Sequence, residues 1–136
     1  MILAIDPGLA TGVMYGTVDD YEHDIIDFPV IYSYLDKLIS SGTFDVVVIE
    51  NFLISNQTAK KTQATWSLRI IGAVEYMCLR EGIEMVLQTP SEAKNFITDK
   101  RLREFNMWFK GAGHDRDAAR HFLLWYFKNK PGDVLP

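Results

Sequence analysis

Residues 45–50 read Asp45-Val46-Val47-Val48-Ile49-Glu50. Four consecutive β-branched residues between two acids are too short a run for a helix and too continuous for a half-exposed strand. They predict a strand buried on both faces, as in the interior of a sheet that carries helices on each side. Toward the N-terminus, residues 1–6 are again apolar and again end on a carboxylate, Asp6. Pro7-Gly8 and Thr11-Gly12 punctuate the next stretch of chain. Val13 to Val18 predicts a second strand, the cluster Asp19 to Asp24 a solvent-facing turn, and Ile25 to Phe28 a short third strand. Pro29 opens a helix with Ile31, Tyr34, Leu35, Leu38 and Ile39 at helical spacing, closed by Ser40-Ser41-Gly42.

Beyond Glu50, residues 51–63 read as a polar loop and residues 64–81 as a long helix stopped by Gly82. Ile83 to Gln88 predicts a fifth strand. Thr89-Pro90-Ser91 opens another helix, with Ser91 as its cap. Gly111-Ala112-Gly113 precedes a last helix over His114 to Lys128, which Pro131-Gly132 terminates. The order β-β-β-α-β-α-β-α-α predicts an α/β fold. Its five-stranded mixed sheet is flanked by helices, in a single domain over residues 1–136.

With 136 residues the chain can bury a core without staples. The single Cys78 excludes an internal disulfide and a Cys-only zinc site. No apolar run approaches the ~18 residues of a membrane span, and Met1 to Asp6 lacks the basic start of a signal peptide. The expectation is a cytoplasmic protein with no membrane partner. The formal charge of −4 argues at first against a nucleic-acid partner, but it averages two regions. Residues 1–50 hold nine acids against Lys37 alone, a balance of −8; residues 51–136 hold nine acids against thirteen Lys and Arg, a balance of +4. The basic part is available to meet a polyanion.

The carboxylates carry the chemistry. Asp6 and Glu50 end the two most apolar strands, where a charge is costly unless a cation or partner meets it. If those strands are neighbours, the two acids converge. On the last helix, His114, Asp117 and His121 share one face, with Asp115 about a quarter turn away. Such an oxygen-rich set suits Mg²⁺ or Mn²⁺. Two ions ~4 Å apart can activate water and stabilise a leaving oxygen in phosphodiester hydrolysis. No H-E-x-x-H or other compact zinc spacing occurs.

These residues resemble the RuvC-like Holliday junction resolvases of the RNase H-like superfamily, especially the compact phage-encoded members. The resemblance rests on Ile2-Leu3-Ala4-Ile5-Asp6-Pro7-Gly8 with Thr11-Gly12, on Val47-Val48-Ile49-Glu50, and on Thr89-Pro90-Ser91-Glu92-Ala93-Lys94. The last motif is Gly113-His114-Asp115-Arg116-Asp117-Ala118-Ala119. The four motifs span nearly the whole chain. The resemblance implies an RNase H-like fold and a two-metal endonuclease on branched DNA. Asp6 would bridge the ions, Glu50 and Asp117 would complete the set, and His114 would act as a ligand or as a proton donor near the leaving oxygen. Asp115 ranks as a runner-up ligand, and Lys94 would face the scissile phosphate. Family members commonly carry an aromatic three residues after the strand Glu; here that position is Leu53, and Phe52 stands one residue earlier.

Phe52, Lys60, Lys61, Lys94, Lys100, Arg101, Arg103 and Arg116 are therefore the candidate DNA contacts. The resemblance also implies a homodimer formed through the helix at residues 64–81, to match a two-fold junction. It places a phage-encoded member in the cytoplasm of a bacterial host. Two other readings stand beside a four-way-junction resolvase: a relaxed nuclease of flaps, forks or RNA–DNA hybrids, and a non-catalytic binder of branched DNA.

Overall fold

The structure of the protein, a computed structural model, describes the backbone of residues 1–52 and 62–129, and the side chains of all of these except 62–64. Its strands are β1 (Ile2–Asp6), β2 (Ala10–Gly16), β3 (Tyr21–Asp27), β4 (Val46–Glu50) and β5 (Glu84–Gln88). Its helices are α1 (Val30–Ser40), α2 (Thr62–Glu81), α3 (Pro90–Phe96), α4 (Asp99–Glu104) and α5 (His114–Asn129). All described strands belong to one sheet in the order β3-β2-β1-β4-β5. β1–β2 and β2–β3 are antiparallel, and β1–β4 and β4–β5 are parallel. Among the described residues no helix is long and apolar enough to cross a membrane.

The run at 46–49 is central, as its composition requires, and its side chains divide between two cores. Val46 and Val48, with Ile2, Ala4 and Met14, pack under α5 against Ala118, Ala119 and Phe122. Val47 and Ile49, with Leu3, Ile5 and Val13, pack on the other face against Ile31, Leu35 and Ile39 of α1 and Ile70 and Val74 of α2. Alternation along a strand has period two. Asp6 therefore follows Ile2 and Ala4, and Glu50 follows Val46 and Val48, onto the α5 face.

Several boundaries differ from the sequence reading. β2 begins at Ala10 and ends at Gly16, so Val18 leaves the strand and packs against the α5-side core. The turn is only Thr17 to Asp20, closed by Thr17 N–H on the Asp20 carbonyl at 2.9 Å and by Asp20 N–H on Thr17 Oγ1 at 3.1 Å. Gly16 at φ +129° lets the chain enter it, since a Cβ there would lie 2.4 Å from the Asp20 carbonyl oxygen. Tyr21 to Asp24, expected in the turn, are strand residues. β3 is an edge strand, and charges such as Glu22 and Asp24 can face solvent there while the backbone pairs with β2.

The helix after β5 is capped by Thr89, not Ser91. Pro90 holds the residue before it extended, and Thr89 forms a capping box with Glu92. Thr89 Oγ1 accepts from Glu92 N–H at 3.2 Å, and Glu92 Oε2 accepts from Thr89 N–H at 2.9 Å. That helix is short, and α4, capped by Thr98, is an additional one the sequence reading did not separate. α2 starts two residues earlier than expected.

Candidate active site

The parallel pairing of β1 and β4 ends at Ile5–Ile49, which sets Asp6 and Glu50 side by side one residue further on. The turn after Asp6 is tied down twice. Thr11 is fully buried; its Oγ1 donates to the Gly8 carbonyl at 3.0 Å and accepts from Gly8 N–H at 3.2 Å. From α2, Ser67 Oγ donates to the Pro7 carbonyl at 2.9 Å. Gly12, opposite Asp6 in the ladder, has another task. A Cβ there would lie 1.9 Å from the His114 carbonyl oxygen, so only glycine lets the start of α5 lie directly on β2. The Thr11-Gly12 pair thus fixes the acid-bearing turn and admits the helix that faces it.

α5 brings a base or an acid against each strand acid. His114 Nδ1 lies 3.6 Å from Asp6 Oδ2. Two turns later His121, 1% exposed, donates from Nε2 to Glu50 Oε2 at 2.8 Å, while its Nδ1 meets the Gln88 side-chain amide at 2.9 Å. Arg120 Nε reaches Asp117 Oδ1 at 3.4 Å, and the same guanidinium holds the Ile97 carbonyl at 2.6 Å and pairs with Asp99.

Asp6, Glu50, His114 and Asp117 line one open cleft of about 720 Å³, together with Asp27 and an apolar lip that includes Leu9, Phe28 and Phe52. Burial pushes the Asp6 carboxyl up from 3.8 to about 6. The charges of Glu50 and Asp117 add to the rise, and His114 opposes it. The Asp6 carboxylate in turn raises His114 above its ordinary value, against partial burial. No Lys or Arg lines the cleft among the described residues.

Among the described residues no group of three or more His, Cys, Asp or Glu side chains is arranged to hold a metal ion as it stands. The carboxylates are turned toward partners on α5. The donor chemistry nevertheless fits a hard divalent cation: Asp6, Glu50 and Asp117 line one cleft with Asp27, and burial together with the charges of Glu50 and Asp117 holds Asp6 above its usual range despite His114.

No protein-family model and no curated protein matches the chain. Solved structures do. Thermus thermophilus RuvC in complex with a Holliday junction substrate is similar at a TM-score of 0.70 and 19% identity, over 96% of this chain and 95% of that one. The fowlpox virus Holliday junction resolvase is similar at a TM-score of 0.56 and 12% identity, over 93% and 98%. The fold is RuvC-like. It is the RNase H-like α/β architecture read from the motifs, a mixed five-stranded sheet with flanking helices.

The RuvC-like sheet brings four of the sequence-predicted site residues, Asp6, Glu50, His114 and Asp117, into the cleft, and Phe52 joins its lip. It does not bring the others there. Asp115 is buried on the far side of the α5 start, where its Oδ2 pairs with His23 Nδ1 at 2.9 Å and its Oδ1 accepts from Arg116 N–H. Its quarter-turn offset carries it away from Asp6. Lys94 is exposed on α3, and Lys100, Arg101 and Arg103 lie on α4, outside the cleft lining.

Arg101 stacks on Phe96 and Phe127 at 5.4 and 5.0 Å, and Arg103 on Trp108 at 5.0 Å. Arg116 also stacks on Trp108, at 4.5 Å, and donates to the Phe109 carbonyl at 2.6 Å, which staples the loop ahead of α5. Lys60 and Lys61, like Leu53, fall outside the described residues.

The sequence reading missed Asp27, Gln88, Arg120 and the partner role of His121. Gln88 was findable in principle, because it ends the strand after Glu50 just as Glu50 ends its own, and parallel strands end together. Arg120 stands three residues after Asp117, a helix-pair spacing. Asp27 carries no local signal; only the β2–β3 register brings it to the cleft.

Proposed function

We propose that the protein is a divalent-cation-dependent endonuclease that resolves four-way DNA junctions by paired phosphodiester hydrolysis. The observation that carries this reading is the convergence of Asp6, Glu50 and Asp117, on the ends of β1 and β4 and the start of α5, in a RuvC-like fold. Two of the similar structures, the Thermus protein and the fowlpox virus resolvase, hold Holliday junction DNA. This supports branched DNA as the substrate here.

Asp6, Glu50 and Asp117 would hold Mg²⁺ or Mn²⁺, two ions in the full site. The bound cations would supply an activated water and neutralise charge on the leaving oxygen. His114, 3.6 Å from Asp6, would serve in the cleft as a ligand or as a proton donor near the leaving oxygen. Phe52 and Phe28 give the lip an apolar wall against which an unstacked base at the branch can pack. The exposed cations Lys94, Lys100 and Arg103 would meet phosphates of the arms, with Arg101 and Arg116 stiffening that surface from their aromatic seats. In this reading the work is done in the cytoplasm, in the host's if the chain is phage-encoded.

A junction has two-fold symmetry, and the outer face of α2 supports a homodimer. Leu68, Gly72, Tyr76 and Leu79 share one stripe; Tyr76 is 66% and Leu79 77% exposed, and a Cβ on Gly72 would meet nothing within 4 Å.

Incubating the protein with an end-labelled four-way junction and a Mg²⁺ or Mn²⁺ titration tests the reading. Paired nicks near the crossover are expected, and an Asp6→Asn protein that cuts as well as wild type would overturn it. Faster cutting of flaps, forks or RNA–DNA hybrids would favour the relaxed nuclease. Tight junction binding without cleavage in any divalent metal would favour the binder.

A further inference from the structure

His121 is the residue the proposed chemistry leaves unused. It is an imidazole at 1% exposure, in a helix stretch whose neighbours Ala118, Phe122 and Leu124 are core. An aliphatic side chain would fill such a position without the need to satisfy two ring nitrogens. Both nitrogens are satisfied, and both by side chains at the ends of adjacent strands: Glu50 Oε2 at 2.8 Å and the Gln88 amide at 2.9 Å. Glu50 and Gln88 are register partners across β4 and β5, so the ring spans the two strand ends from above. We propose that His121 is a positioning residue that, with Gln88, locks the Glu50 carboxylate in one orientation and leaves its other oxygen free for a cation.

The chemistry of the three groups supports a fixed arrangement. A carboxylate can only accept, so Nε2 must carry the proton on that side. The Gln88 atom that faces Nδ1 is Oε1, which accepts, so the ring donates to Gln88 on one side and to Glu50 on the other. Among the described residues no hydrogen bond reaches Glu50 Oε1. A free Glu side chain has three rotatable bonds, and ordering it at the moment of cation binding opposes that binding. Groups that orient a ligating side chain from behind typically change metal affinity by ~10–100-fold when removed.

The inference rests on the reading of Glu50 as a cation ligand, and the test separates the two. Mn²⁺ binding to the full chain is measured by the electron spin resonance of free Mn²⁺ in wild type, Glu50→Gln, His121→Leu, His121→Gln and Gln88→Leu. Thermal melts report folding, and junction cleavage is measured in parallel. His121→Leu is expected to raise the Mn²⁺ dissociation constant by ~10-fold or more. In His121→Gln an amide N–H replaces the Nε2 donor, and the constant is expected within about threefold of wild type on the same scale. Gln88→Leu keeps the ring but removes its second anchor; it shifts affinity in the same direction by less, and it decides the question if His121→Leu fails to fold.

A folded His121→Leu protein with wild-type affinity overturns the positioning role, as does an equal loss in His121→Leu and His121→Gln. Affinity that is indifferent to Glu50→Gln removes the role together with its basis. Mn²⁺ binding that depends on Glu50 and His121, in a protein that cuts no branched DNA, overturns the nuclease reading and upholds this one.

Discussion

Replacing Asp6 by Asn is expected to stabilise the metal-free protein at neutral pH while abolishing cleavage. The folded carboxyl titrates at about 6 against 3.8 in an ordinary setting. That difference of about two units, at ~1.36 kcal/mol each, means the charge destabilises the fold by ~3 kcal/mol once it is fully ionised. Asn keeps the shape and removes the charge; the shift is already net of the favourable contact with His114, 3.6 Å away, so nothing further is subtracted for it. The gain is ~3 kcal/mol, or ~6–12 °C in Tm for a chain of this size.

The sign with pH is fixed by linkage. Between pH ~4 and ~6 the folded state holds a proton that the unfolded state has released, so this group makes stability fall as pH rises through that window. His114, also raised, contributes in the same direction, its stabilisation being lost as pH climbs through its folded pKa. Thermal unfolding followed by circular dichroism in a chelator, from pH 4.5 to 7.5, reads the effect. The gap between variant and wild type should open with rising pH and shrink again when Mg²⁺ is added to wild type. A variant less stable than wild type at pH 7.5, or a gap that does not vary with pH, refutes the reasoning.

Three other features of the molecule carry expected outcomes of their own. Gly12→Ala places a methyl 1.9 Å from the His114 carbonyl oxygen; α5 must lift, and urea unfolding is expected to show a loss of at least ~3 kcal/mol together with loss of cleavage. Leu79→Glu with Tyr76→Glu charges the exposed stripe of α2; sedimentation is expected to give a dimer for wild type and a monomer for the variant, with the Tm of the monomer unit changed by little. Burial pushes the Cys78 thiol up to about 11; labelling by iodoacetamide at pH 8 is expected to be slow in the native protein and fast in 6 M urea, and comparable rates would show that the α1–α2 core opens readily.

What could be read from the sequence was whatever had a short-range signature. The doubly buried run at 46–49 could only be interior, and the period-two rule then puts Asp6 and Glu50 on one face as soon as the strands are paired. β3 was legible only in its apolar half, because an edge strand needs just one hydrogen-bonded neighbour and tolerates Glu22, His23 and Asp24. The cap at Thr89 was hidden by Ser91, an equally good capping residue by type; the preceding-proline restriction on Thr89 was the discriminating signal. Asp115 and Asp117 look alike in the sequence, and the difference lies in a partner ninety-two residues away, His23, which claims the first of them. Arg101, Arg103 and Arg116 read as free cations, yet each is seated on an aromatic ring; Phe96 and Trp108 lie five to eight residues away in sequence, and only the Phe127 partner of Arg101 comes from a distant element.

The contact between Gly12 and the start of α5 has a consequence for biosynthesis. Asp6 and Glu50 leave the ribosome early, and most of the sheet can pair before residue 114 exists. Yet His114, Asp117 and His121 arrive only with the last helix, and that helix must land on a strand made about a hundred residues before it. A nascent chain therefore carries two of its three converging acids without a cleft to put them in. The proposed capacity to cut DNA waits on the synthesis of α5, which closes over a sheet already made.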